Sequence, residues 1–234
     1  MSGRDDILGR IRRSHRRRPP DAADPAMLEA RLAAHPRGPQ LSRVALDPPA
    51  LVDLFVAKAQ AAAATVARVA GPADAPGAVA DYLARENLPA SIVMAPDPSL
   101  DAVPWEARPL LAIRRGLPDP GDLVGLTGAF AGVAETGTLV LLSGPQRPTT
   151  LNLLPETHIV LLRRAAVVGA FEDAWDRLRA GNAGGDAGGD AGGDAGGGGL
   201  PRTVNLITGP SRRADIGQQV QMGPHGPRRL HIVL

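Results

Sequence analysis

The stretch "PPALVDLFVAKAQAAAATVARVA", residues 48–70, contains the change of period that decides the fold. In its first part Leu51, Leu54, Phe55 and Lys58 recur at three- and four-residue spacing, behind two prolines placed where a helix tolerates them, at its start. From Thr65 the period drops to two, and "TVARVA" (65–70) alternates as a strand does. The pair then repeats. "PGAVADYLARENL" (76–88) predicts a helix, "SIVMA" (91–95) a strand, and "PLLAI" (109–113) is a third extended candidate. Such alternation predicts an α/β fold, a mostly parallel sheet covered by helices.

Further along, "GLTGAFAGVAETGTLVLLSGPQRP" (125–148) holds two apolar runs that meet at Glu135-Thr136-Gly137-Thr138, the pattern of a hairpin-like turn. "HIVLL" (158–162) reads as a strand, "VVGAFEDAWDRLRA" (167–180) as a helix, and "RTVNLIT" (202–208) and "RLHIVL" (229–234) as strands. Residues 181–199, "GNAGGDAGGDAGGDAGGGG", repeat Gly-Gly-Asp-Ala every four residues. Calcium-binding β-roll repeats have a nine-residue period and a large apolar residue to build a core, neither of which is here. Glycine of this density does not offset the entropy of ordering, so the stretch is expected to be a flexible insertion in a loop.

Upstream of residue 47 the composition changes. "GRDDILGRIRRSHRRR" (3–18) spaces Ile7, Leu8 and Ile11 for a short amphipathic helix, and Met27, Leu28 and Leu32 mark a second helical patch in a segment rich in Pro, Arg and Ala. The expected organisation is an N-terminal helical arm over 1–46 and one α/β domain over 47–234, with the glycine-rich insertion at 181–199.

Composition narrows the chemistry. The 234-residue chain has no cysteine, which excludes disulfides, thiolate nucleophiles and the usual ligands of iron–sulfur clusters. Net charge is +2, and residues 1–18 alone carry seven Arg against two Asp, so the remainder is net acidic. A groove that tracks nucleic acid needs clustered basic residues interleaved with aromatics, and aromatics are only 3% of the chain; nucleic acid is not the expected partner. No apolar run approaches the roughly 20 residues of a transmembrane helix, and the N-terminus lacks a secretory signal pattern, so a cytoplasmic protein is expected.

In "ITGPSRRADIG" (207–217) the glycine lets the chain leave a strand sharply, and Ser211 is a good N-cap for a following helix. Such a turn at the carboxyl end of a sheet suits an anion, with Arg212 and Arg213 able to grip a carboxylate or phosphate. A capped helix with exposed arginines fits the same residues.

Together with "AETGT" (134–138), "SGPQRPTTLNLLPETH" (143–158) and "GPHGPR" (223–228), this segment resembles the lactate-utilisation protein C family, the LUD-domain proteins of the LutC/YkgG type. The resemblance covers Asp122 to Leu234 densely and "ILGRIR" more loosely; Arg213, Gly217, Pro224 and the glycine repeat depart from the family's pattern. It implies a fold similar to sugar-phosphate isomerases and CoA transferases. It also implies a part in L-lactate oxidation to pyruvate, as the member without clusters beside iron–sulfur partner proteins. In that setting the ligand is a small anion.

Glu135 is then a candidate nucleophile or general base, or a glutamate that satisfies backbone donors in its turn. His225, held between two Gly-Pro pairs, is a candidate for proton transfer. Arg147 is the candidate carboxylate clamp, with Thr127 and Thr136 as hydroxyl donors. Gly137, Thr138, Gly209, Pro210, Ser211, Arg212, Asp215 and Gly226 complete the expected ligand contacts. His158, which opens an apolar strand, is expected to be a hydrogen-bonded structural histidine. No metal and no cofactor are expected. Two other readings stay open: a freestanding CoA-transferase-like enzyme using Glu135, and an assembly scaffold with a vestigial pocket.

Overall fold

A computed structural model describes residues 3–14, 23–183, 200–213, 221–222 and 226–234. The repeat at 184–199, and with it most of the expected insertion, lies outside the described residues, as do Asp215 and His225. The chain divides into two compact units, Met1–Pro39 and Gln40–Leu234. The first holds helices α1 (Gly3–Ser14) and α2 (Ala23–Ala34). In α1, Asp5 and Asp6 occupy the first turn and Arg12 and Arg13 the last, each sign complementing the helix dipole.

The second unit contains strands β1 (Thr65–Ala67), β2 (Ser91–Met94), β3 (Ala112–Arg115), β4 (Val124–Gly128), β5 (Ala131–Val133) and β6 (Thr138–Leu142). They are followed by β7 (Thr157–Leu161), β8 (Val167–Val168), β9 (Val204–Ile207), β10 (Arg212–Arg213), β11 (Gln221–Met222) and β12 (Arg229–Val233). Its helices are α3 (Pro48–Ala61), α4 (Ala75–Arg85) and α5 (Phe171–Ala183). Six strands form a wholly parallel sheet in the order β1-β12-β7-β4-β2-β3. The protein is thus an α/β fold with a mostly parallel sheet flanked by helices.

Side-chain alternation assigns a helix to each face. Ile159 of β7 and Val233 of β12 pack with Val79, Tyr82 and Leu83 of α4. Their neighbours Val160, Leu230 and Ile232 point the other way, to Val52, Phe55, Val56 and Ala59 of α3. Asp47 caps α3 by accepting from the Ala50 N–H at 2.9 Å, ahead of the two prolines. A second, four-stranded sheet, β8-β5-β6-β9, is the feature that the alternation did not foretell. Leu139 and Leu141 of this sheet join the α3 core, while Val133 and Val140 pack with Ala174 of α5.

Two expectations need correction. The helix expected over 167–180 begins only at Phe171, because Val167 and Val168 pair in parallel with Gly132 and Val133. Asp173 then starts α5 by accepting from the Ala170 N–H at 2.9 Å. Nor does a helix begin at Ser211 among the described residues. Arg212 and Arg213 are extended and pair antiparallel with Met222 and Gln221, and the Ser211 N–H is taken by the Pro227 carbonyl at 2.8 Å.

Gly137 (φ 72°) and Gly209 (φ 73°) both bring their turns against the end of α3. A Cβ on Gly137 would overlap the Ala59 nitrogen, and one on Gly209 the Ala62 carbonyl oxygen. Backbone conformation and lack of space act together, so Gly137→Ala and Gly209→Ala should each cost about 2–4 kcal/mol in urea unfolding. Gly71→Ala, at an extended glycine with nothing within 4 Å, should stay within about 0.5 kcal/mol of the parent. Equal losses at all three positions would contradict the close approach.

Two histidines are sealed in the parallel sheet. Burial pushes the His158 imidazole down to about 3; burial, with the Arg85 charge adding to it, pushes His231 down to about 4. His231 also stacks on the Tyr82 ring, with centroids 3.8 Å apart. Both folded values lie below the unfolded one, so below about pH 6.5 the unfolded chain takes up protons that the native state refuses. Stability present above about pH 6.5 should therefore fall as pH drops toward 4, by up to about 1.4 kcal/mol per pH unit for each histidine. Urea unfolding at pH 7 and pH 5 checks this, and an unchanged unfolding free energy would contradict it.

Candidate functional site

The six parallel strands all end on one edge, and the connections reverse there between two neighbours. From β2 the chain moves to β3 on one side; from β4 it moves to β7 and then β12 on the other. Adjacent parallel strands whose connections diverge leave a crevice beyond their carboxyl ends, the place where open α/β sheets bind ligands.

A recess occupies that position. It is lined by Ala95 and Asp97 after β2, Thr127 and Gly128 of β4, Leu141 and Leu142 at the end of β6, and Arg147, Pro148 and Asn152 beyond it. It has room for about one water molecule and is partly open to solvent. Asp97 is 3% exposed; its Oδ1 accepts from the Ser99 N–H at 2.9 Å, and its Oδ2 accepts from Arg147 Nε at 2.6 Å. Burial alone would push the Asp97 carboxyl up, but the Arg147 and Ser99 donors outweigh it and hold it below the usual carboxylate range. Asp97 is thus an ionised anchor for the guanidinium, a poor proton acceptor at neutral pH.

Arg147 is set by the tight turn at Gly144–Arg147, where its N–H donates to the Gly144 carbonyl at 2.9 Å. Asp97 engages Nε and leaves the Nη end of the fork without a protein partner among the described residues; the side chain is 30% exposed. A guanidinium so held can present two parallel donors to a carboxylate. Thr127, 5% exposed, lies in the same recess, and its Oγ1 is 2.7 Å from His158 Nε2. His158 is therefore hydrogen-bonded inside the sheet, as its apolar strand suggested.

The remaining expected contacts gather elsewhere. Thr136 and Thr138 are joined through their hydroxyls at 2.6 Å, and Thr138 meets the Thr208 hydroxyl at 2.7 Å, beside Gly137 and Gly209. Glu135 donates its N–H to the Gly169 carbonyl, and its carboxylate accepts from Arg43 at 3.3 Å. Pro210 follows Gly209 out of β9, Ser211 packs against Gly226, and Arg212 is exposed. This group sits at the start of β6 and the end of β9, whereas the recess adjoins the end of β6, about 13 Å along the strand. The described residues thus form two groups, with Thr127 and Arg147 in one and Glu135, Thr136, Gly137, Thr138 and Gly209 in the other. Among the described residues the two groups do not share a single cleft.

Asp97 and Asn152 are the polar recess residues that sequence reading missed. A signal existed for Asp97, an aspartate three residues past the strand "SIVM" and followed by proline. None existed for Asn152, which is buried in the 3-10 turn Thr149–Asn152, packed against β4.

Residues 123–234 match the model of the LUD domain. Over 109 residues the chain is 37% identical to an uncharacterized protein of Neisseria meningitidis, a match covering 47% of this chain and 40% of that protein. It is 32% identical over 111 residues to Lactate utilization protein C of Bacillus subtilis, covering 47% of this chain and 41% of the relative. A protein of the same name in Exiguobacterium is 34% identical over 113 residues, covering 47% of this chain and 43% of it. The matched stretch therefore spans less than half the length of these relatives. The crystal structure of a DUF162 family protein from Deinococcus radiodurans superposes with a TM-score of 0.56 at 22% identity, covering 80% of this chain and 98% of that one, a likeness of fold. Through its residues 123–234 the chain is similar to the LUD-domain family and to the proteins named lactate utilization protein C.

Proposed function

We propose that the chain is a component of a lactate-utilization system that binds a short carboxylate, L-lactate or its oxidation product pyruvate, at the β2/β4 crevice. The observation that carries this reading is Arg147, fixed through Nε by a buried aspartate and offering its free Nη end at the switch point of the sheet. The Asp97–Arg147 pair is formally neutral, so recognition rests on directed hydrogen bonds more than on an attractive field. Relatives named for lactate utilization supply the substrate class.

The chain has no cysteine with which to hold a cluster. In this reading the electrons of lactate oxidation pass to iron–sulfur partner proteins, and the present chain contributes a ligand site.

Isothermal titration of the full chain with L-lactate and with pyruvate tests the site. Losing the charge-assisted pair in Arg147→Ala should weaken binding about 10–100-fold. Arg147→Lys, which keeps the charge but not the fork, should also bind more weakly than the parent. Affinity unchanged in both variants would contradict the assignment.

A further inference from the structure

Two threonine–histidine pairs lie in the parallel sheet, and the difference between them is informative. In one, Thr65 Oγ1 is 2.8 Å from His231 Nδ1 and also donates to the Leu230 carbonyl at 3.4 Å. Thr65 thus has a backbone acceptor for its own proton within reach, which leaves its oxygen able to accept from an N–H on His231 Nδ1. In the other, Thr127 Oγ1 is 2.7 Å from His158 Nε2, and among the described residues no protein acceptor meets the Thr127 proton.

The ring atoms left over fix the tautomers. Among the described residues, His158 Nδ1 and His231 Nε2 are both buried without a partner. An orphaned N–H is a rarer and costlier defect than an orphaned ring lone pair, so the single proton of each neutral ring belongs on the nitrogen that has a threonine beside it. His158 therefore carries its proton on Nε2 and donates to Thr127 Oγ1. The Thr127 hydroxyl then keeps its own proton for an acceptor other than His158, and Thr127 lines the recess.

We propose that His158 is a positioning residue that sets Thr127 as a hydrogen-bond donor into the recess, selecting a ligand with an acceptor oxygen beside the carboxylate held by Arg147. A short 2-oxo acid meets this demand with its carbonyl oxygen, and a 2-hydroxy acid with its hydroxyl oxygen. This rests on the reading of the recess as a carboxylate site, but the tautomer of His158 does not, and the two are tested apart.

Long-range proton–nitrogen NMR correlation on the ligand-free, nitrogen-15-labelled full chain reads the tautomers directly. The expected result is opposite tautomers in one molecule, Nε2–H for His158 and Nδ1–H for His231. Nδ1–H at His158 would overturn the proposal whatever the protein binds. The second measurement uses pyruvate, whose oxygens are all acceptors at neutral pH. Thr127→Ser should bind it within about 3-fold of the parent, and Thr127→Val about 10-fold more weakly, as expected for one lost hydrogen bond. Valine binding as tightly as serine while Arg147→Ala weakens binding would overturn the donor role of Thr127 and leave the recess standing. Indifference to all three variants would overturn both the recess and the selection attributed to Thr127.

Discussion

In a parallel sheet, neighbouring strands whose connections run to the same side leave no opening between them, because the crossing chain covers their ends. At β2 and β4 the connections run to opposite sides, and an opening is unavoidable. The site depends on this constraint of chain path. Asp97 lies just beyond β2, and Arg147 lies in the loop beyond β6, fifty positions along the chain; their pairing at 2.6 Å ties together the two walls of the crevice. An aspartate in that position, 3% exposed, would be costly without a donor, and an arginine there would be mobile without an acceptor. Each makes the other tolerable, and the Nη end of the arginine remains available.

The buried polar groups extend this logic into the sheet. Thr127 belongs both to the recess and to the pair with His158, so a hydroxyl at the surface of the crevice is governed by an imidazole that solvent never reaches. The same strand register that aligns Gly125 with His158 puts Thr127 two residues further on, on the same face, where the ring can reach it. The second sheet closes the other side of α3. Its turns at Gly137 and Gly209 approach the end of that helix too closely for any side chain, and the linked hydroxyls of Thr136, Thr138 and Thr208 brace those turns.

The parts of this structure with a local cause were legible in the sequence. Spacing of Leu51, Leu54 and Phe55 marked α3, short apolar runs marked β2, β7 and β12, and the Glu135–Thr138 bend joined β5 to β6 as expected. Arg147 and Thr127 were also singled out, although nothing local says that they meet. Pairing at long range was not legible. Val167 and Val168 carry no sign that they will add a strand to β5, and Ser211 has every local feature of a helix cap. Its N–H is claimed instead by Pro227, sixteen positions away, and the arginines after it join a ladder with Gln221 and Met222. Asp97 escaped notice for the same reason, since its importance comes from a partner that the fold alone supplies.

We propose that ligand recognition sits at the β2/β4 crevice and not at the glycine turns on the other end of β6. A titration of the isotope-labelled chain with L-lactate, followed through its backbone amides, tests it most directly. Saturable shifts are expected at Asp97, Ser99, Thr127, Gly128 and Arg147, with Glu135–Thr138 and Gly209 unmoved. Shifts confined to Glu135–Thr138 and Gly209, or no saturable shift anywhere, would contradict it.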